Sequence, residues 1–177
     1  MTKGAIPRER LKPMALVFAA ALSLIAQTRI TYLPLFIVER SINANVVHYE
    51  AKMRADGSLD PGEPVIAYWI MAAEDGHRQP LNILERARAY GFTTRPDGAN
   101  HSYIMTLVSD RKREIHIYRQ GGEVHAETLI GGHHAYLQKI FINVRKSVLL
   151  NTADSAELFG LDVDTAQPCY EKIRPDH

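Results

Sequence analysis

From residue 32 onward the apolar positions fall in runs of six to nine, rich in Val, Ile, Tyr and Phe and cut by clusters of Gly, Pro, Asp and Asn. Period-two alternation between turn-forming residues is the signature of strands. It predicts strands over residues 33–40, 46–54, 65–72, 102–108, 115–119, 124–130 and 136–144, with weaker signals at 147–150 and 157–163. Asp56-Gly57 and Asp60-Pro61-Gly62 bracket a loop whose acidic residues serve turns rather than calcium, because their spacing is not that of a calcium loop. The Asp110-Arg111-Lys112-Arg113 cluster is expected to be a solvated hairpin tip.

One helix interrupts this pattern. Pro80 suits a first helical turn and Gly91 the position past the end, while Leu81, Ile83, Leu84, Ala87 and Tyr90 form an apolar stripe beside Glu85, Arg86 and Arg88. The connections are too short for helical crossovers, so the expected fold is mainly β (α+β): an antiparallel β-sandwich or partly closed β-barrel with one interposed helix. A single antiparallel domain is expected over residues 32–174.

Ahead of it stands a different kind of segment. Lys3, Arg8, Arg10 and Lys12 precede an uncharged run over residues 14–26. That run is too short for a spanning helix and long enough for the apolar stretch of an export signal. Residues 1–26 are therefore expected to be a signal peptide, cut after Ala26, or an uncleaved membrane anchor, and the protein to be exported, periplasmic or secreted. Those residues hold four cations and one acid, so the whole-chain net charge of +1 becomes about −2 without them. Such a body offers no attraction for nucleic acid, and a membrane is expected to be met only through the N-terminal segment if it is retained. Cys169 is the single cysteine, so no internal disulfide supports the fold.

Three stretches carry a resemblance: Glu39-Arg40-Ser41 with Asn43 and Asn45; Tyr68-Trp69-Ile70 leading to Glu74-Asp75-Gly76; and Pro80-Leu81-Asn82 with Glu85 and Tyr90-Gly91. With Lys139-Ile140-Phe141, the chain over residues 35–172 resembles the bacterial domain of unknown function 4833 family. The resemblance implies one domain and brings no catalytic residue with it.

Candidate chemistry sits in two places. Gly121-Gly122 suits a two-residue hairpin turn, which sets Gln120 opposite Glu123, Tyr118 opposite His125 and His116 opposite Glu127. Alternation then puts Ile115, Ile117, Val124, Ala126, Thr128 and Ile130 on one face and His116, Tyr118, His125 and Glu127 on the other. His116, His125 and Glu127 are the ligand types of a divalent metal such as zinc, while the ordinary solvent face of a hairpin is the favoured explanation. Neither His133 nor His134 is expected to join them.

The second place is Glu39, Arg40, Asn43 and Asn45 at a strand end, with Trp69, Glu74 and Glu85 as neighbours. A half-buried charge there needs a partner, and Glu74, Arg78 or Glu85 are in reach by sequence. These residues could line a ligand site or tie the helix to the sheet, with Trp69 as pocket wall or core aromatic. Ser41 and Ser102 lack a glycine elbow, and Cys169 lacks a suggestive histidine setting. The expected function is a non-enzymatic binding or structural module for a small molecule, lipid or envelope protein, the alternative being a metal-binding protein or metal-dependent enzyme on the 114–130 hairpin.

Overall fold

The computed structural model describes residues 29–98, 101–145 and 152–174. Its elements are β1 (Thr31–Arg40), β2 (Asn43–Met53), β3 (Val65–Ile70), β4 (Arg78–Pro80), α1 (Ile83–Arg88), β5 (Phe92–Pro96), β6 (Tyr103–Leu107), β7 (Asp110–Gln120), β8 (Glu123–Ile130), β9 (His133–Arg145), β10 (Thr152–Asp162) and β11 (Pro168–Ile173). The fold is mainly β, a curled half-barrel sheet with one short helix. The leader and anchor expected in residues 1–26, and the weak strand at 147–150, lie outside the described residues. Among the described residues no helix is long and apolar enough to cross a membrane.

The main path of the sheet runs β4-β3-β2-β1-β9-β8-β7-β6-β5, with β10 and β11 added beside β9. β9 is the junction. Its first residues pair with β8 (Leu129 with His134), and its later ones pair with β1 (Ile37 with Lys139), so two strands share one edge. β10 runs along the other edge, from Ala135 opposite Asp162 to Arg145 opposite Thr152. From this junction two four-strand wings, β1–β4 and β5–β8, curl toward each other.

The expectation of a wholly antiparallel sheet is corrected at one pairing, because β1 and β9 run parallel. The parallel pairing needs no helical crossover, since the chain builds β2 to β8 before β9 returns beside β1. Spacing between neighbouring strands carries no record of that return.

The core fills the space between the wings. Phe36 stacks on Tyr49 with centroids 4.5 Å apart, and Tyr49 meets Phe92 of the opposite wing edge to face at 5.9 Å. Tyr49 is fully enclosed, and its hydroxyl is satisfied by donating to the Tyr90 carbonyl at 2.7 Å. Val47, Ala51, Met105, Ile115, Ile117, Ala126, Leu137 and Leu158 are among the other residues of the interior. Burying such side chains is the main drive for folding in a chain with no disulfide.

Two local expectations are corrected. The helix begins three residues after Pro80, which closes β4, and Asn82 is its N-cap. Asn82 Oδ1 accepts from the Glu85 amide and Glu85 Oε2 accepts from the Asn82 amide, both at 2.9 Å, a reciprocal cap that sets the start. The apolar stripe is not buried as a stripe: Leu81 and Tyr90 are inside, but Ile83 is 88% exposed and Leu84 59%. A helix this short anchors through the residues at its ends. Likewise the turn between β6 and β7 falls on Val108 and Ser109, and Asp110 to Arg113 open β7 instead of forming the tip. Strands β4, β5 and β11 escape the alternation signal because they are short, contain proline and carry polar residues.

Candidate functional site

The β7–β8 hairpin turns on Gly121 and Gly122, both in the left-handed region (φ 62° and 94°), which only glycine adopts at no steric cost. The register follows: His116 faces Glu127, Tyr118 faces His125 and Gln120 faces Glu123. Ile115, Ile117, Ala126, Thr128 and Ile130 are buried, and Val124 half-buried, on the inner face. His116, Tyr118, His125 and Glu127 share the outer face.

The outer residues engage different partners. His116 Nδ1 lies 3.0 Å from Asp97 Oδ2. Tyr118 donates its hydroxyl to Glu127 Oε2 at 2.6 Å, and Glu127 Oε1 is 2.8 Å from His134 Nδ1. The His125 ring stacks on Tyr136 at 4.3 Å and tilts against Tyr118 at 5.7 Å. His116, His125 and Glu127 thus share a face without converging on one point. Among the described residues no group of three or more His, Cys, Asp or Glu is placed to hold a metal. His134, set aside on sequence grounds, is brought to Glu127 by the β8–β9 pairing, while His133 turns to Asp162 at 3.4 Å.

Burial works against the Glu127 carboxylate, yet the bonds from Tyr118 and His134 prevail and hold it below the usual carboxylate range. The same burial, together with the carboxylate acceptor, pushes the Tyr118 phenol up. This face lines a groove of about 420 Å³ that includes Asp97, Ser102, His116, Tyr118, Glu127 and His134.

The second predicted set is scattered. The Arg40 guanidinium lies 4.3 Å from the Trp69 ring centroid, and Trp69 is buried in the core, edge to face with Tyr90. Arg40 Nη2 donates to Asn43 Oδ1 at 3.2 Å. Buried Asn45 accepts from the Ala73 amide at 2.8 Å and so ties the β3–β4 turn to β2. Glu39 pairs with Lys139 of the adjoining strand at 3.3 Å. Glu85 caps α1, and the Glu74 amide closes the β3–β4 turn by donating to the Met71 carbonyl. None of Glu74, Arg78 or Glu85 forms an ion pair with Glu39 or Arg40, and the arrangement pins turns and helix to the sheet.

An apolar concavity opens elsewhere, where the β6–β7 turn faces β9, β10 and β11. Its volume is about 350 Å³, and Leu107, Ile115, Ile140, Ile142, Leu158 and Ile173 line it. Ile115 and Leu158 belong to the core, so the concavity reaches the interior. Around its rim stand Asp110, Arg111, Lys112, Arg113 and Arg174. Arg113 is held by Asp110 at 3.2 Å and by Glu171 at 2.9 Å, and its third nitrogen donates to the Leu129 carbonyl. Sequence reasoning missed this mouth, because its walls come from five strands, β6, β7, β9, β10 and β11, spread along the chain. The charge run at 110–113 beside the apolar Ile115 was the only local sign.

The family described as a domain of unknown function (DUF4833) matches residues 36–172. The chain belongs to this family. Neither a curated protein nor a solved structure matches it. The family match runs from β1 into β11, so the hairpin face, the Arg40 cluster and most of the mouth fall within the family domain.

Proposed function

We propose that this DUF4833 domain is a non-enzymatic binding module that receives a small apolar or amphiphilic ligand in the mouth between the β6–β7 turn and β9–β11. The half-barrel is read as a partly closed barrel with that mouth at the end where the β6–β7 turn meets β9–β11. With the leader expected in residues 1–26, cleaved or kept as an anchor, the module works in the periplasm or outside the cell. The carrying observation is the apolar concavity of about 350 Å³ that reaches Ile115 and Leu158, since ligand sites are concave and mostly apolar with a few polar groups at the edge. The metal alternative on the 114–130 hairpin has less support. Glu127 has both oxygens engaged and His125 lies against Tyr136 and Tyr118.

The neutral fluorophore N-phenyl-1-naphthylamine tests the reading. Saturable enhancement with one site per chain is expected, and it should disappear in Ala156→Leu and in Ile142→Trp, which fill the concavity from β10 and β9. Circular dichroism and the unfolding midpoint check that the variants fold. No enhancement, or enhancement unaltered in both folded variants, overturns the proposal.

A further inference from the structure

We infer that the mouth selects a single-chain amphiphile with an anionic head, a medium- or long-chain carboxylate, with Arg111 and Arg174 receiving the head. The inference rests on the mouth-binding proposal and adds the identity of the ligand class.

Size is the first argument. About 350 Å³ lies at the lower end of ligand pockets, roughly 300–1,000 Å³, so one acyl chain fits and a two-chain lipid does not. The walls offer that chain mainly aliphatic side chains, with the hydroxyls of Ser109 and buried Ser155 among them.

Charge is the second. The rim holds Arg111, Lys112, Arg113 and Arg174 against one acid, Asp110, and that acid is already engaged by Arg113. Arg111 and Arg174 are exposed, and among the described residues neither has a carboxylate partner. Arg111 comes from the start of β7 and Arg174 follows the last residue of β11, so the two cations reach the same opening from different parts of the chain. A planar guanidinium matches a carboxylate with two parallel hydrogen bonds, which an alcohol head cannot accept as strongly. The body without its leader carries a net negative charge, so this rim is a local exception to the overall balance.

The test uses the full chain and displacement of N-phenyl-1-naphthylamine by octanoate, decanoate, decan-1-ol and decylammonium, all below their micelle concentrations. Decanoate is expected to displace the probe about tenfold better than decan-1-ol. That advantage should shrink at high salt while decan-1-ol is unaffected. Octanoate should be weaker than decanoate by about fourfold per methylene. The double variant Arg111→Gln, Arg174→Gln should bind decan-1-ol normally and lose the preference for the acid.

Equal displacement by acid and alcohol in the unaltered chain, or a preference for decylammonium, overturns the inference and leaves the mouth-binding proposal standing. Failure of the probe itself to bind overturns that underlying proposal instead. If the double variant is misfolded, the salt dependence of the unaltered chain decides: a decanoate advantage insensitive to salt overturns the inference.

Discussion

Arg40 and Trp69 form a cation–aromatic stack, the guanidinium carbon 4.3 Å from the indole centroid and 6.0 Å from the Tyr90 ring. Nη1 also donates to the Tyr90 hydroxyl at 3.4 Å, whereas the buried Nε has no hydrogen-bond partner among the described residues. The stack therefore stabilises the junction of β1, β3 and the end of α1, and the orphaned N–H subtracts from that gain. Arg40→Ala should cost about 1–2 kcal/mol in urea unfolding. Arg40→Lys should recover less than half, because an ammonium cannot stack as a plane. Trp69 is the single tryptophan, so its emission reports the loss directly.

Gly91 is intolerant of any side chain. A Cβ there would stand 1.8 Å from the Arg86 carbonyl oxygen and 2.7 Å from its carbonyl carbon. The obstacle is backbone of the helix itself, so no rotamer relieves it. Gly91→Ala should lower stability by about 3 kcal/mol, seen as a drop in the unfolding midpoint, while Gly98→Ala, whose Cβ meets nothing within 4 Å, should lose only the smaller cost of its positive φ.

Glu127 makes stability depend on acid. Its folded carboxyl sits below the ordinary value of 4.5, so its contribution is present above that pH and is lost as pH falls through the lower folded value. The difference in unfolding free energy between the native chain and Glu127→Gln should be constant from neutrality down to about pH 5 and shrink below it. A difference that grows in acid would contradict the Tyr118–Glu127–His134 arrangement.

Tyr68 acts at the other end of the scale. Burial, and then its 2.7 Å hydrogen bond to Glu50, push the phenol from 10.0 up to about 12. The proton is held more tightly in the folded chain, so this stability is complete below pH 10 and declines between 10 and 12. Unfolding of the native chain and Tyr68→Phe compared across that range should show a steeper decline in the former, since Tyr49, Tyr90 and Tyr118 are also raised and remain in both. Glu50→Gln should bring the phenol's ionisation to lower pH, read as the tyrosinate absorbance missing from Tyr68→Phe.

How much of this was readable from the chain differs from element to element. The β7–β8 register was, because Gly121-Gly122 permits a two-residue turn and alternation then assigns every side chain to a face. What those side chains do was not. His134 reaches Glu127 only because β9 pairs with β8, and Asp97 reaches His116 only because the turn after β5 folds over β7. The partners suggested for Arg40 were the charged residues after the third strand and on the helix, Glu74 and Glu85, whereas a half-buried guanidinium beside an indole settled on the ring face.

The amino-acid sequence by itself determined that this domain is built from strands, where most of them turn, and which face of the β7–β8 hairpin is apolar. Those properties depend on local geometry: the two-residue pleat, and glycine's freedom at positive φ. Only the tertiary structure decided that β9 is shared by β1, β8 and β10, and hence that the wings leave a basic-rimmed apolar mouth. Pairing between distant strands is chosen by how the whole core closes, and no window of sequence contains that sum.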